Sequence, residues 1–115
     1  MKLAASNLCW AAADDEAAWG KMKELGYTGL EIAPTRIFPQ APYDCLNGAA
    51  LFAGVMYQKY GFVIPSMQSI WYGQSGSIFD VADAARLEEY TKEAYQFARA
   101  CRCGKRQGRV VEIWR

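Results

Sequence analysis

The chain has 115 residues, with 13 lysines and arginines against 12 aspartates and glutamates and no histidine, for a formal charge of +1. Its 52% hydrophobic and 22% charged residues are those of an ordinary folded domain, which excludes a disordered or collagen-like chain. The near-neutral balance leaves no electrostatic footprint for nucleic acid or an acidic membrane, and no run reaches the ~18 apolar residues of a membrane helix.

In chain order, residues 2–6 read as a short apolar strand. Ser6 and Asn7 interrupt the opening apolar run too early for an export signal, so a cytoplasmic location is expected. Asp14, Asp15 and Glu16 put negative charge at the start of a helical pattern, and Lys21 and Lys23 put positive charge near its end. Ala18, Met22 and Leu25 are expected to share its buried face, and Gly26 to stop it. Residues 28–33 form the second strand, closed by Pro34, and a proline-rich loop follows. A second helix spans residues 46–60 with Leu51 and Val55 on one side, stopped by Gly61. Residues 62–70 make a third strand, in which Pro65 disturbs the early register.

The longest helix begins at Val81 or Asp83 and runs to Cys101. Leu87, Tyr90, Ala94, Phe97, Ala98 and Cys101 form its apolar stripe, with Glu88 and Lys92 paired outside. Beyond Gly104 and Gly108, residues 109–114 have strand character. Strands alternating with helices predict an α/β fold with a parallel sheet, and Leu25-Gly26-Tyr27 is echoed by Tyr60-Gly61-Phe62, one βα unit later.

In such folds ligands bind outside the carboxyl ends of the strands. The loops there hold polar groups beside aromatics, a mixture that suits a small polar ligand such as a sugar: amides for hydroxyls, an indole for a ring face, a guanidinium for phosphate. Asn7, Trp10, Glu31, Arg36, Gln68 and Trp71 are the candidate substrate-binding residues. Glu31 stands between two apolar residues in a strand expected to be covered on both faces. It either meets several donors, a cation or a metal, or pairs with Lys2 or Arg36 and only tunes packing. The four cysteines are read as thiols, and Cys101-Arg102-Cys103 is too little for zinc without a second ligand pair. No phosphate-loop, dinucleotide or serine-hydrolase signature is present.

The phrases Ser6-Asn7-Leu8-Cys9-Trp10, Gly26-Tyr27-Thr28-Gly29-Leu30-Glu31-Ile32-Ala33-Pro34-Thr35-Arg36 and Ile64-Pro65-Ser66-Met67-Gln68-Ser69-Ile70-Trp71-Tyr72-Gly73 resemble the first three strands and loops of the sugar phosphate isomerase/epimerase family, which are xylose-isomerase-like TIM barrels. The resemblance covers residues 1–101. It implies a partial (β/α)8 TIM barrel of about three βα units with a fourth strand beginning, and a parent activity that moves a proton beside a sugar carbonyl with Mg2+ or Mn2+. The implied metal ligands and acid–base residues come from later strands. This chain therefore carries no metal ligand or catalytic residue by resemblance, and the six candidates are carried over only as substrate-side positions. A full barrel needs ~250 residues. The expectation is an N-terminal part, inactive alone, with residues 102–115 as a divergent basic tail left by truncation or frameshift, and with self-association through the open sheet edge. The alternative is a small non-catalytic α/β module that binds a sugar or phosphorylated ligand at the same loops. Related barrel endonucleases acting on DNA need several histidines, of which this chain has none.

Overall fold

The computed structural model describes residues 1–102; the anticipated fourth strand at 109–114, Cys103 and the rest of the basic tail lie outside the described residues. The fold is α/β. Strand β1 (Ala4–Ser6) leads through a 3-10 turn into α1 (Asp15–Glu24), then come β2 (Gly29–Glu31), the short α2 (Pro34–Ile37), α3 (Leu46–Tyr60) and α4 (Val81–Ala100). The proline-rich segment is not a plain loop, because Pro34 opens α2 and Pro42 opens a 3-10 turn, each supplying a preset φ where no amide donor is required.

Both glycine stops act as expected. Gly26 and Gly61 have φ of 80° and 75°, a region that costs other residues a Cβ clash. Behind Gly26 the Tyr27 N–H donates to the Met22 carbonyl at 2.9 Å and the Gly26 N–H to the Lys23 carbonyl at 3.1 Å, so two terminal carbonyls of α1 are satisfied. Helix α4 starts on Asp80, whose carboxylate accepts from the Ala82 and Asp83 amides at 3.0 Å each.

β1 and β2 are parallel, with Ala4, Ala5 and Ser6 opposite Gly29, Leu30 and Glu31. The third strand is reduced to two parallel bridges, Gly29 with Val63 and Ile32 with Met67. Pro65 explains the correction. Val63 donates to Thr28 and accepts from Leu30, so the next donor facing β2 falls on Pro65, which has no N–H; contact resumes one residue out of phase, where Ser66 accepts from Ile32 and Gln68 donates to it. This one-residue bulge shifts the facing of everything after it. Among the described residues, no strand lies on the side of this segment away from β2.

Among the described residues the core forms on one face of the sheet only. Leu30, Ile32, Ile64 and Met67 pack there against Met22 of α1, Ala49, Met56 and Tyr60 of α3, and Ala94, Phe97 and Ala98 of α4. The α4 stripe is as expected, with Tyr90 half-buried, and Glu88 meets Lys92 at 3.2 Å. Two helix faces need correction. Leu25 is exposed, and half-buried Trp19 lies edge-on to Phe52 and Tyr60 instead; Leu51 and Val55 are exposed, because α3 turns Ala49, Phe52, Ala53, Met56 and Tyr60 inward. Tyr43 carries its hydroxyl into this core and donates to the Ile70 carbonyl at 2.7 Å. Burial, reinforced by Tyr90 and Glu93, raises its pKa above the ordinary value.

Candidate site at the strand ends

The opposite face of the sheet carries Ala4 and Ser6 from β1, Gly29 and Glu31 from β2, and Pro65 and Gln68 from the bridged segment. A Cβ on Gly29 would come within 2.9 Å of the Ala4 Cβ and 3.2 Å of Pro65, so the chains approach closely at this point. One step further along, at the carboxyl ends, the small residues give way to a polar cluster.

Glu31 is its centre. One carboxylate oxygen accepts from the Ser66 hydroxyl at 2.6 Å and the other from the Gln68 amide at 2.9 Å. The same Gln68 nitrogen donates to the Ser6 hydroxyl, which also accepts from the Leu8 N–H at 3.2 Å. The bulge makes this possible, since it sends both Ser66 and Gln68 to the Glu31 side while Met67 between them enters the core. Of the two expectations for Glu31, several donors or a pair with Lys2 or Arg36, the structure shows donors: its partners are a hydroxyl and an amide. What is corrected is the expected cover on both faces, since Glu31 is only partly buried.

Arg36 belongs to a neighbouring cluster. Its guanidinium makes a two-pronged contact with Asp15 at 2.8 and 3.3 Å, and the Trp10 indole donates to the same carboxylate at 2.8 Å. These three side chains tie the loop after β1 and the start of α1 to α2. Asn7 is buried, and its side-chain oxygen accepts from the Ala33 amide at 2.9 Å, bracing the same two loops from beneath. Trp71 stands apart, its indole donating to Thr91 of α4 at 2.8 Å.

Of the six candidates, then, Glu31 and Gln68 meet in one cluster, Trp10 and Arg36 in another, Asn7 supports the backbone between them, and Trp71 faces α4. Ser6, Ser66 and Asp15 were not among the six. Asp15 reads as a helix-start charge, Ser66 becomes legible only once Pro65 is seen to force a bulge, and Ser6 stands out only as the last residue of its strand.

The divalent ion implied by the resemblance does not fit these residues. Around Glu31 the other groups are two hydroxyls and an amide, and among the described residues no three of His, Cys, Asp and Glu are grouped to hold a metal ion. The arrangement is suited to hydrogen bonding instead. The Gln68 amide nitrogen donates to both Ser6 and Glu31, which leaves its carbonyl oxygen, the Ser6 hydroxyl hydrogen and the remaining lone pairs of Glu31 as the hydrogen-bonding capacity the network itself does not use. No known protein family, curated protein or solved structure matches the chain. Among the described residues no helix is long and apolar enough to cross a membrane.

Proposed function

We propose that residues 1–102 are the first three βα units of a sugar isomerase/epimerase-type barrel, and that their strand ends bind a neutral sugar without carrying out chemistry alone. The observation that carries this reading is the Ser6–Gln68–Glu31–Ser66 network on the uncovered face of the sheet, at the carboxyl end where α/β folds bind ligands. A carboxylate with spare lone pairs, a free amide oxygen and one hydroxyl donor form an acceptor-rich set, which matches the O–H donors of a polyol. A phosphorylated sugar is the second reading, held by a non-catalytic module; it requires Arg36 to leave Asp15 and brings anionic charge toward Glu31.

Calorimetric titration with a neutral ketose and with its phosphate ester tests both. The neutral sugar should bind in the millimolar range, about −4 kcal/mol, and Glu31→Gln should weaken it at least about tenfold, the effect of losing one charge-assisted hydrogen bond. Saturable binding of the ester alone, abolished by Arg36→Ala and indifferent to Glu31→Gln, favours the second reading. Absence of saturable heat with any polyol rejects both.

A further inference from the structure

The strand-end network is unbalanced in what it leaves unused. Each Glu31 oxygen accepts one hydrogen bond, from Ser66 at 2.6 Å and from Gln68 at 2.9 Å, while a carboxylate offers about four acceptor positions in all. Because a carboxylate only accepts, Gln68 must present its amide nitrogen to Glu31, and its amide oxygen is left over. Ser6 already accepts from Leu8 and Gln68, so its hydroxyl has only a proton to give. The surplus is therefore of acceptors, and neither donor that reaches Glu31 carries a charge. Among the described residues every ion pair lies elsewhere: Arg36 is held by Asp15, and no lysine stands within ion-pair distance of Glu31. A half-buried carboxylate without a cation sets a negative potential over the strand ends.

We infer that this site selects a sugar with a protonated amine beside a hydroxyl, a 2-amino sugar, over the corresponding neutral sugar. It rests on the proposal that a sugar binds at the strand ends, and adds the sugar's class. An ammonium offers three donors and no acceptor, which suits Glu31 and the Gln68 oxygen. A hydroxyl offers one donor and brings further acceptors to a set already rich in them. Ser6 and Glu31 stand directly opposite each other in the β1–β2 pairing, so the lone donor lies beside the acceptors at the spacing of neighbouring strands, about 4.8 Å. A hydroxyl next to the amine can then accept from Ser6 while the ammonium donates to Glu31. Hydrogen bonds with ionised partners are roughly twice as strong as neutral ones, which favours the amine. Overall charge does not supply this preference, since the chain stands at +1 and would not by itself attract a cation.

A 1H–15N NMR titration of the full chain with glucosamine, glucose and N-acetylglucosamine tests it; the acetyl group keeps the nitrogen and removes its charge. Glucosamine should bind about tenfold more tightly than the other two, with the Gln68 side-chain amide signal shifting to report the site. Glu31→Gln should erase that advantage, weakening glucosamine about ten times more than glucose. Should Glu31→Gln disturb the fold, seen as lost signal dispersion, the wild-type titrations at about 20 and 500 mM salt decide, because a charged contact weakens as salt rises. Equal affinity for glucosamine and glucose overturns the inference and leaves the sugar proposal standing. An advantage that survives Glu31→Gln or is indifferent to salt also overturns it, since the amine is then not held by this carboxylate. Absence of saturable shifts with all three rejects the sugar proposal itself, and the inference with it.

Discussion

At the scale of single residues, Tyr43 shows how a polar group is carried inside. Its ring packs edge-on against Tyr90 and Phe97, and its hydroxyl has one task, donating to the Ile70 carbonyl. Ionising it would bury a phenolate, first because burial removes water and then because Tyr90 and Glu93 add negative potential; Tyr90 is shifted in the same direction, again mainly by burial. The sign of the pH effect follows. Below the ordinary value of 10.0 both states hold the proton and the stability is complete, whereas above it the unfolded chain releases protons that the folded chain keeps, so stability falls as pH rises. Thermal melts should be unaffected by these two groups near neutrality and decline beyond pH 10. Tyr43→Phe should make that decline shallower, while lowering stability at neutral pH by about 1–3 kcal/mol through the lost donor to a buried carbonyl. An unchanged alkaline slope in the variant would show that Tyr43 is not its source.

Helix α3 shows at the next scale why periodicity alone did not choose a face. Residues 51 and 55 make a stripe of one turn's spacing, but so do 49, 52, 53, 56 and 60, and only the second brings Phe52 and Tyr60 to Trp19 of α1, at ring separations of 6.2 and 5.6 Å. The choice lies in a partner helix more than 30 positions away, which a local reading cannot weigh. Met56→Ala should therefore cost about 2–5 kcal/mol in urea denaturation and Val55→Ala no more than about 0.5 kcal/mol. Equal losses would mean that the wrong side of α3 is assigned to the core. Helix ends were legible for the opposite reason: Gly26 and Gly61 act within one turn of themselves. The third strand fell between these cases. Pro65 announced a disturbance, yet only the pairing with β2 shows that it becomes a bulge, and with it that Ser66 and Gln68 both join Glu31.

For the molecule as a whole, the governing fact is that among the described residues helices cover one face of the sheet and leave the other to small residues and the polar cluster at the strand ends. Alternating strands and helices correctly announced the α/β class, but among the described residues the usual inference that a parallel sheet is covered on both sides failed, and it made Glu31 look like a carboxylate in need of a counter-charge or several donors. Seen in place, Glu31 and its neighbour Leu30 are adjacent residues with opposite environments: Leu30 is fully buried among α-helical side chains, while Glu31 rests on Ser66 and Gln68 at the uncovered side. Substitutions one position apart should then behave as if they belonged to different proteins. Leu30→Ala removes apolar volume from a closed core and should cost about 2–5 kcal/mol. Glu31→Gln keeps the shape and removes only a charge that water and two donors already accommodate, so its cost in the same urea experiment should stay below about 1 kcal/mol. Were Glu31→Gln as damaging as Leu30→Ala, the polar face would have to be covered in solution. The strand-end cluster would then be a structural network closed to ligands, because a carboxylate sealed between layers has no side from which a sugar can approach it.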